Sequence, residues 1–369
     1  MAVIGIGVDS GGTHSTCAVA KGEGPPQLSA GDEQSSSISD ARGRRSLKAT
    51  LDWIYRRVLH HTDEEDEVCV WIGAAAGFPG AAFRIIEEER EEFAQRIQAQ
   101  RPDCEVFIAN DAVSILKAPP ILGKGLAAIV GTGSIVLGTH PSYPNGVLRR
   151  GGYEWPVGDI GAGVWLTVEA IRGVLEDIQT NGSAHYNSAL LDRLCDYFDV
   201  SDQELTDLPE SHYALGRAEM LAANLLQSRE ELKRHIAGFV HPHLFDLAQI
   251  APGRPHDPIA ATVIAESVEA ISGQIAQVSE TLAAFTADQP NERERLSLVV
   301  GGNIAANPIY ANQLSAAISR CRYVRPMEII GNPVSQFAEL SLHYLRSAPR
   351  ERRLISRLLD PCHQVMKLV

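Results

Sequence analysis

Two short stretches of this 369-residue chain combine glycines with hydroxyl side chains in the same way. DSGGT covers Asp9–Thr13 and GTGS covers Gly131–Ser134, and in both an apolar run precedes the glycines and β-branched residues follow. A Walker A loop or a dinucleotide fingerprint would lead into a helix, so each turn here is predicted to close a β-hairpin. Backbone N–H groups in such turns bind phosphate without side-chain charge. Either turn alone could be an ordinary glycine turn, but the pair predicts two phosphate clamps on facing walls of a cleft.

Two aspartates are predicted to lie at the ends of strands. Asp9 precedes the first glycine turn, where a carboxylate could hold a water molecule of a Mg²⁺ ion. Asp111, in IANDAVS, lies between a strand and a helix. From there it could accept a proton from a substrate hydroxyl that attacks phosphorus. The alternative for Asp111 is a helix N-cap, which aspartate also fills well.

The segment RRGGYEWPVGDIGAGVW, residues 149–165, is dense in glycine, aromatic and acidic residues. Glu154 and Asp159 could hydrogen-bond sugar hydroxyls or an ammonium group, and Tyr153 and Trp155 could stack on a ring. The alternative is an ordered loop in which Asp159 caps the next helix. Further on, VVGGNIAANP at 299–308 predicts a strand, a double glycine and a helix, which would let a flat base approach the backbone. A plain β–α turn is the alternative there.

The elements around these residues alternate between strand and helix, which predicts an α/β protein. Predicted strands cover Val3–Asp9, Thr16–Ala20, Val68–Ala76, Val106–Ala109, the hairpin Leu126–Gly138, and Leu296–Val300; predicted helices cover Ser46–Leu59, Ala81–Arg101, Ala162–Gln179 and Pro333–Leu345. Pro119-Pro120 breaks the pattern. We therefore expect domains at 1–118 and 119–345, the second with a helical insertion at about 202–258, followed by a tail at 346–369.

Composition narrows the classes of function. The net charge is −13 with no basic cluster, which argues against nucleic acid as a partner. Six scattered cysteines suit a reducing compartment. A membrane-spanning helix needs about 18 consecutive apolar residues, and we find no such run in the sequence, so no membrane span is predicted. A cytoplasmic protein is expected. The histidines, His241 and His243 among them, have no partner at a convincing ligand spacing and are interpreted as surface or core residues.

The order of these motifs resembles the sugar kinase, actin and Hsp70 superfamily. Within it the chain is similar to the branch of N-acetylglucosamine kinases, bacterial glucosamine kinases and BadF/BadG/BcrA/BcrD ATPases, over about residues 3–345. The block at 151–163 is the most specific part and resembles the glucosamine kinases most. The resemblance implies two ribonuclease H-like domains of the actin-like ATPase type, with ATP and a sugar in the cleft. Homodimers are common in the family that the chain resembles, so the resemblance also implies a homodimer.

The resemblance implies roles for individual residues. Asp111 matches the general base, and Asp9 would hold Mg²⁺ through water. ATP contacts are implied for Gly11, Gly12, Thr13, Gly131, Thr132, Gly133, Ser134, Gly301, Gly302 and Asn303. Sugar contacts are implied for Ser36, Ser37, Asn110, Asp111, Gly152, Tyr153, Glu154 and Asp159. The acetylated-sugar kinases carry an asparagine where this chain has EQSSSISD, and Gln336-Phe337-Ala338 replaces their late Gly-Ala segment.

The sequence thus predicts a kinase that uses Mg²⁺ and ATP to phosphorylate an amino sugar. Glucosamine is favoured over N-acetylglucosamine because Glu154 could pair with a protonated 2-amino group, and the 6-hydroxyl is the expected acceptor. Two alternatives remain at this point. One is a BadF-type ATPase that acts on a protein partner, although the cluster-binding cysteines of the activators are absent. The other is a non-catalytic sugar sensor.

Overall fold

The fold is described from a computed structural model of the chain. The described residues are 2–10, 15–32, 43–63, 65–74, 91–93, 95–101, 104–153, 158–181, 188–201, 229–249, 256–287, 292–330 and 333–348.

The first sheet has five strands in the order β3-β2-β1-β4-β5. They are β1 (Val3–Ser10), β2 (Ser15–Lys21), β3 (Gln27–Asp32), β4 (Glu67–Ala74) and β5 (Glu105–Asn110). Strands β1, β2 and β3 form an antiparallel meander. On the other side of β1, strands β4 and β5 extend the sheet in parallel. The predicted hairpin, with Asp9 opposite Thr16, is confirmed.

The second sheet repeats this arrangement in the order β10-β9-β6-β7-β8. Its strands are β6 (Gly125–Val130), β7 (Ser134–Thr139), β8 (Val147–Gly151), β9 (Ser297–Gly301) and β10 (Glu328–Ile330). Again three strands form an antiparallel meander, and two more join β6 in parallel. Each lobe therefore opens with an antiparallel hairpin, and the hairpin of the second lobe closes at Gly131–Gly133. The α/β class with two ribonuclease H-like lobes is confirmed.

The helices lie mostly in the second lobe and its insertion. They are α1 (Gly43–His61), α2 (Asp111–Lys117), α3 (Gly163–Asn181), α4 (Ala189–Phe198), α5 (Arg229–Gly238), a π-helix (Val240–Leu244), α6 (Phe245–Ala248), α7 (Pro258–Ala283), α8 (Asn303–Ala306), α9 (Pro308–Ile318) and α10 (Val334–Arg346). Residues 91–93 and 95–98 are also helical. Of the predicted helix Ala81–Arg101, residues 81–90 lie outside the described range.

The two faces of the first sheet belong to different cores, as the alternation of side chains along a strand requires. Ile4, Ile6 and Val8 of β1 pack with the apolar face of α1 in an outer core. The opposite face carries Trp71 of β4 and faces the second lobe. It shares one hydrophobic cluster with α2, α10 and the second sheet, so the two lobes are joined by a common core.

The last helix, α10, packs on the first sheet although it lies in the range predicted for the second domain. Glycines make this contact close. A Cβ on Gly7 would lie 2.2 Å from the backbone N of Ala338, and one on Gly5 would lie 2.4 Å from its carbonyl O. On β4, a Cβ at Gly73 would lie 2.3 Å from the Phe337 ring. These three glycines therefore form the seat of the helix.

Among the described residues, α7 is the one helix with the length and apolar composition to cross a membrane. In this fold α7 packs against the second sheet and against α3, α6 and α9. Its buried residues, among them Ile264, Ile271 and Ile275, belong to the core of the second lobe.

Candidate active site

Asp9 lies near the end of β1, on the sheet face that looks toward the second lobe. Gly5, Gly7 and Asp9 alternate along the strand, and the first two face α10. Gly73 of β4 pairs with Asp9 on one side and with Ala109 of β5 on the other. The parallel strands thus bring Asp9 and the start of α2 to one edge of the sheet.

The start of α2 separates the roles of two adjacent residues. Asn110 is the N-cap, since its Oδ1 accepts hydrogen bonds from the backbone N–H groups of Ala112 at 3.0 Å and Val113 at 3.3 Å. Asp111 is the first residue of the helix, and its Oδ1 accepts from Ala112 N at 2.8 Å. The capping role that the sequence left open for Asp111 therefore belongs to Asn110.

Asp9 and Asp111 interact electrostatically. Burial, together with the negative charge of Asp111, raises the pKa of Asp9 to about 8. Burial also raises the pKa of Asp111 to about 6, although hydrogen bonds from its own helix start oppose the shift. Two neighbouring carboxylates whose pKa values are both raised, at the carboxyl ends of two strands of one sheet, are typical of a functional site.

The helix that begins with Asp111 lies between the lobes. Its residues Ala112, Val113, Ile115 and Leu116 share a core with strands of both sheets. At Gly301 of β9, an added Cβ would lie 3.6 Å from Cδ1 of Ile115. Asp111 is therefore carried by an element that both lobes hold in place.

The second glycine turn is tied to the loop that contains Asp159. Asp159 is buried, has a φ of 60°, and accepts a hydrogen bond from Ser134 N at 3.3 Å. A Cβ on Gly133 would lie 2.9 Å from Oδ2 of Asp159. Ser134 Oγ donates to the carbonyl of Ile160 at 2.9 Å. Asp159 therefore lies against the predicted phosphate turn.

The N-terminus of α3 also meets this turn. Gly163 N donates to Gly131 O at 2.8 Å, and Val164 N approaches Thr132 O at 3.5 Å. The positive end of a 19-residue helix thus points at the turn, which favours an anionic group there.

The double glycine Gly301-Gly302 lies beside the same turn, because β9 and β6 are neighbours and Ile129 pairs with Gly301. Gly302 has a φ of 104°, and a Cβ there would lie 2.4 Å from the carbonyl O of Val130. Asn303 follows, with its Oδ1 3.3 Å from the Cβ position of Gly131. Two of the predicted ATP-contact segments are therefore adjacent.

Arg149 stabilises the start of the loop that is predicted to bind sugar, a role not predicted from the sequence. Its Nε donates to Gly151 O at 2.9 Å, its Nη2 donates to Gly152 O, and its guanidinium lies 4.8 Å from the centre of the Tyr153 ring. Both glycines have positive φ, near 68°. Tyr153 is 63% exposed, so one face of its ring is open to a ligand. The adjacent RRGG sequence was the available signal, because a guanidinium readily binds carbonyls of a tight glycine turn.

Several predicted site residues lie outside the described residues, namely Gly11, Gly12, Thr13, Ser36, Ser37 and Glu154. Trp155 lies outside them as well. In the described part of the chain, no group of three or more His, Cys, Asp or Glu side chains is arranged to hold a metal ion.

Three solved structures share this fold. A protein provisionally named an N-acetylglucosamine kinase from Porphyromonas gingivalis aligns with a TM-score of 0.57 at 15% identity, over 92% of this chain and 98% of its own. Another, provisionally given the same name, from Chromobacterium violaceum gives 0.54 at 19%, with 92% and 98% covered. The glucose-bound hexokinase from Schistosoma mansoni gives 0.51 at 12%, with 92% and 85% covered.

Sequence comparisons give no match. No protein-family profile matches the chain, and no curated protein matches it. At these identities the structural likeness establishes the architecture alone. The chain has the two-lobed, actin-like ATPase fold that these structures share, with the carboxylates of Asp9 and Asp111 at the end of its first sheet.

Proposed function

We propose that the chain is an ATP-dependent sugar kinase in which Asp111 is the general base. The pairing of Asp111 with Asp9 carries this proposal. Both carboxylates lie at one edge of the first sheet, and the charge of Asp111 contributes to the raised pKa of Asp9. Because Asn110 caps α2, Asp111 is not needed for that purpose.

The raised pKa of Asp111 suits this role. A carboxylate with a pKa of about 6 is a stronger base than an ordinary aspartate and is still ionised near pH 7. It would accept the proton of the acceptor hydroxyl as that oxygen attacks the γ-phosphorus, while the bond from phosphorus to the β,γ-bridging oxygen breaks and ADP leaves. Phosphoryl transfer depends mainly on positioning and electrostatics, so a base anchored by both lobes suits it.

The nucleotide side consists of the second glycine turn, the α3 N-terminus and Gly301–Asn303. Gly11, Gly12 and Thr13 would supply the opposite phosphate turn. Asp9 would hold the Mg²⁺ that we expect through one of its water molecules, because Mg²⁺ keeps several waters and is bound near carboxylates together with substrate phosphates. A divalent cation would also relieve the repulsion between Asp9 and Asp111. When bound, Mg²⁺ would neutralise phosphate charge and orient the transferred group.

The acceptor would bind between Asp111 and the loop that starts at Gly151. Among the described residues, our candidates for contacts with the sugar are Asn110, Gly152, Tyr153 and Asp159. The other candidates are Ser36, Ser37 and Glu154. We propose glucosamine or N-acetylglucosamine as substrate, phosphorylated at the 6-hydroxyl, and favour glucosamine because of Glu154. A cytoplasmic location and a homodimer complete the proposal.

The decisive experiment measures ADP release from Mg·ATP across a panel of hexoses and amino sugars. We expect release that depends on an amino sugar, and a 10²–10⁴-fold lower kcat for Asp111→Asn with ADP affinity retained. Sugar-independent hydrolysis would indicate an ATPase instead, and binding without turnover would indicate a sensor. If Asp111→Asn keeps more than about a tenth of the wild-type rate, Asp111 is not the base. Equal losses with glucosamine and glucose in Glu154→Gln would remove the basis for preferring glucosamine.

A further inference from the structure

The helical insertion reaches the loop that we assign to the nucleoside. His241, in the π-helix, places its Nε2 3.0 Å from the carbonyl O of Asn303. A carbonyl oxygen only accepts, so Nε2 must carry the hydrogen of this bond. In the neutral ring Nδ1 is then left as an acceptor.

Two buried aromatic rings hold the imidazole of His241 in position. The ring of Phe245 meets that of His241 edge-on, with centroids 5.4 Å apart, and Phe245 in turn packs on Tyr310 at 6.5 Å. Phe245 and Tyr310 are buried, whereas His241 is exposed. The π-helix, a rare turn that often marks functional sites, directs His241 toward the loop. The ring is therefore anchored on one side and open on the other.

The surroundings of Asn303 place His241 close to the predicted phosphate turn. Its Oδ1 lies 3.3 Å from the Cβ position of Gly131, and the backbone of Gly302 packs on Val130 just before the phosphate turn. The His241 ring is thus bonded to the segment that we assign to the nucleoside and lies on the side where the insertion meets it. An exposed residue needs no such bond for packing, because water could satisfy its ring nitrogens.

We propose that His241 is a specificity-determining residue of the nucleoside pocket and accepts a hydrogen bond at Nδ1 from the 6-amino group of adenine. A 6-oxo purine presents an acceptor at that position, which would face the Nδ1 lone pair. His241 therefore selects adenine over hypoxanthine or guanine. This inference rests on the proposed function only in taking Gly301–Asn303 as the nucleoside loop.

The test measures binding without sugar, by calorimetric titration of ADP and of IDP into the full chain. We expect the wild type to prefer ADP, and His241→Ala to bind ADP about 5- to 20-fold more weakly while its IDP affinity is unchanged or higher, because the lone pair that faces the 6-oxo group is gone. His241→Gln, whose amide offers both an acceptor and a donor, should recover part of the preference. His256→Ala is the matched control, because His256 is another exposed histidine of the insertion and has no assigned contact with this loop.

Equal weakening of ADP and IDP in His241→Ala would mean that His241 only supports the loop, and it would overturn the inference. An unchanged ADP affinity, or a wild type that binds neither nucleotide, would do the same. Failure of the sugar-kinase proposal looks different. A chain that discriminates ADP from IDP through His241 but shows no sugar-dependent ADP release keeps this inference and loses the proposed function.

Discussion

The indole Nε1 of Trp71 donates a 3.0 Å hydrogen bond to Ser114 Oγ, which ties the second-to-last strand of the first sheet to the helix that begins with Asp111. Ser114 in turn donates to the carbonyl of Asn110 at 2.9 Å. Both Trp71 and Ser114 are fully buried. Ser114 therefore connects the sheet to the residue that caps the helix, and through it holds the proposed base in place.

Ser114→Ala should lower both stability and turnover. It leaves the Trp71 N–H buried without its acceptor, which costs about 1–3 kcal/mol. We expect kcat to fall about 3- to 10-fold with the KM for ATP unchanged, since only the placement of Asp111 changes. Ser279→Ala is the control, because that buried hydroxyl bonds only within its own helix in the second lobe. Denaturant unfolding and steady-state kinetics measure both effects, and equal kcat losses in the two variants would contradict this role.

Asp111→Asn should stabilise the fold above pH 6 while it abolishes turnover. The pKa of Asp111 is raised to about 6 in the folded chain, against about 4 when unfolded. Its contribution to stability is therefore fully present below pH 4 and is lost as the pH rises through 6. We expect equal melting temperatures for variant and wild type near pH 4, and a melting temperature about 2–4 °C higher for the variant at pH 7.5.

Asparagine retains the oxygen that accepts from Ala112 N, so the helix start is preserved in this comparison. Differential scanning calorimetry at several pH values, without nucleotide, follows the difference between the two proteins. A wild type that becomes more stable than the variant as the pH rises from 4 to 7.5 would show that the folded chain favours the ionised form, and it would contradict this prediction.

Gly302→Ala should disrupt nucleotide binding. Its φ of 104° and the carbonyl of Val130, 2.4 Å from the new Cβ, leave no room for a side chain. We expect a loss of stability above about 1 kcal/mol and a large increase in the Kd for ADP. Gly273→Ala is the matched control: it lies in α7, exposed and with nothing near its Cβ position, and should stabilise by about 0.5–1 kcal/mol. ADP affinity maintained in Gly302→Ala would show that this loop does not contact the nucleotide.

A buried hydrogen-bond chain links the loop that we propose to bind the sugar with α9. Ser267 Oγ donates to Gly161 O at 2.7 Å and lies 2.9 Å from the Tyr310 hydroxyl. Ser267→Ala leaves two buried polar groups unpaired, whereas Tyr310→Phe leaves Ser267 still bonded to Gly161. We expect Ser267→Ala to cost about 1–3 kcal/mol and to raise the KM for the sugar, and Tyr310→Phe to cost less. The reverse order of stability losses would show that the hydroxyl of Tyr310, rather than that of Ser267, maintains the loop.

The hairpins and most of the parallel strands were predictable from local sequence, because short apolar runs bounded by glycine turns are typical of buried strands and too short for helices. The strands that were missed, β3, β8 and β10, are short, polar or partly exposed, so no hydrophobic run marks them. Of the strands that extend the two sheets in parallel, β4, β5 and β9 were predicted as strands, but their pairing partners were not. Those strands pair across long stretches of chain.

Within the site, residue types were predictable and their partners were not. IANDAVS indicated a strand that ends at an acidic residue. It did not show whether Asn110 or Asp111 caps the helix, because the first helical residue cannot be located from the sequence to within one position. Asp159 was expected at the sugar, and its contact with Ser134 comes from long-range packing. His241 gave no signal, because its bond to Asn303 joins residues 62 positions apart. The alternation of glycines in VIGIGVD was an available signal for the seat of α10, since glycines on one strand face permit close approach.

That seat has a consequence for biosynthesis. The inner surface of the first sheet is covered by residues 334–346, which lie far along the chain from the strands they cover. A nascent chain leaving the ribosome therefore leaves the glycine-lined face of β1 and β4 uncovered until residues 334–346 have been translated. The first lobe cannot complete its fold on its own, so premature termination before residue 334 would yield an aggregation-prone fragment rather than an independent half-protein.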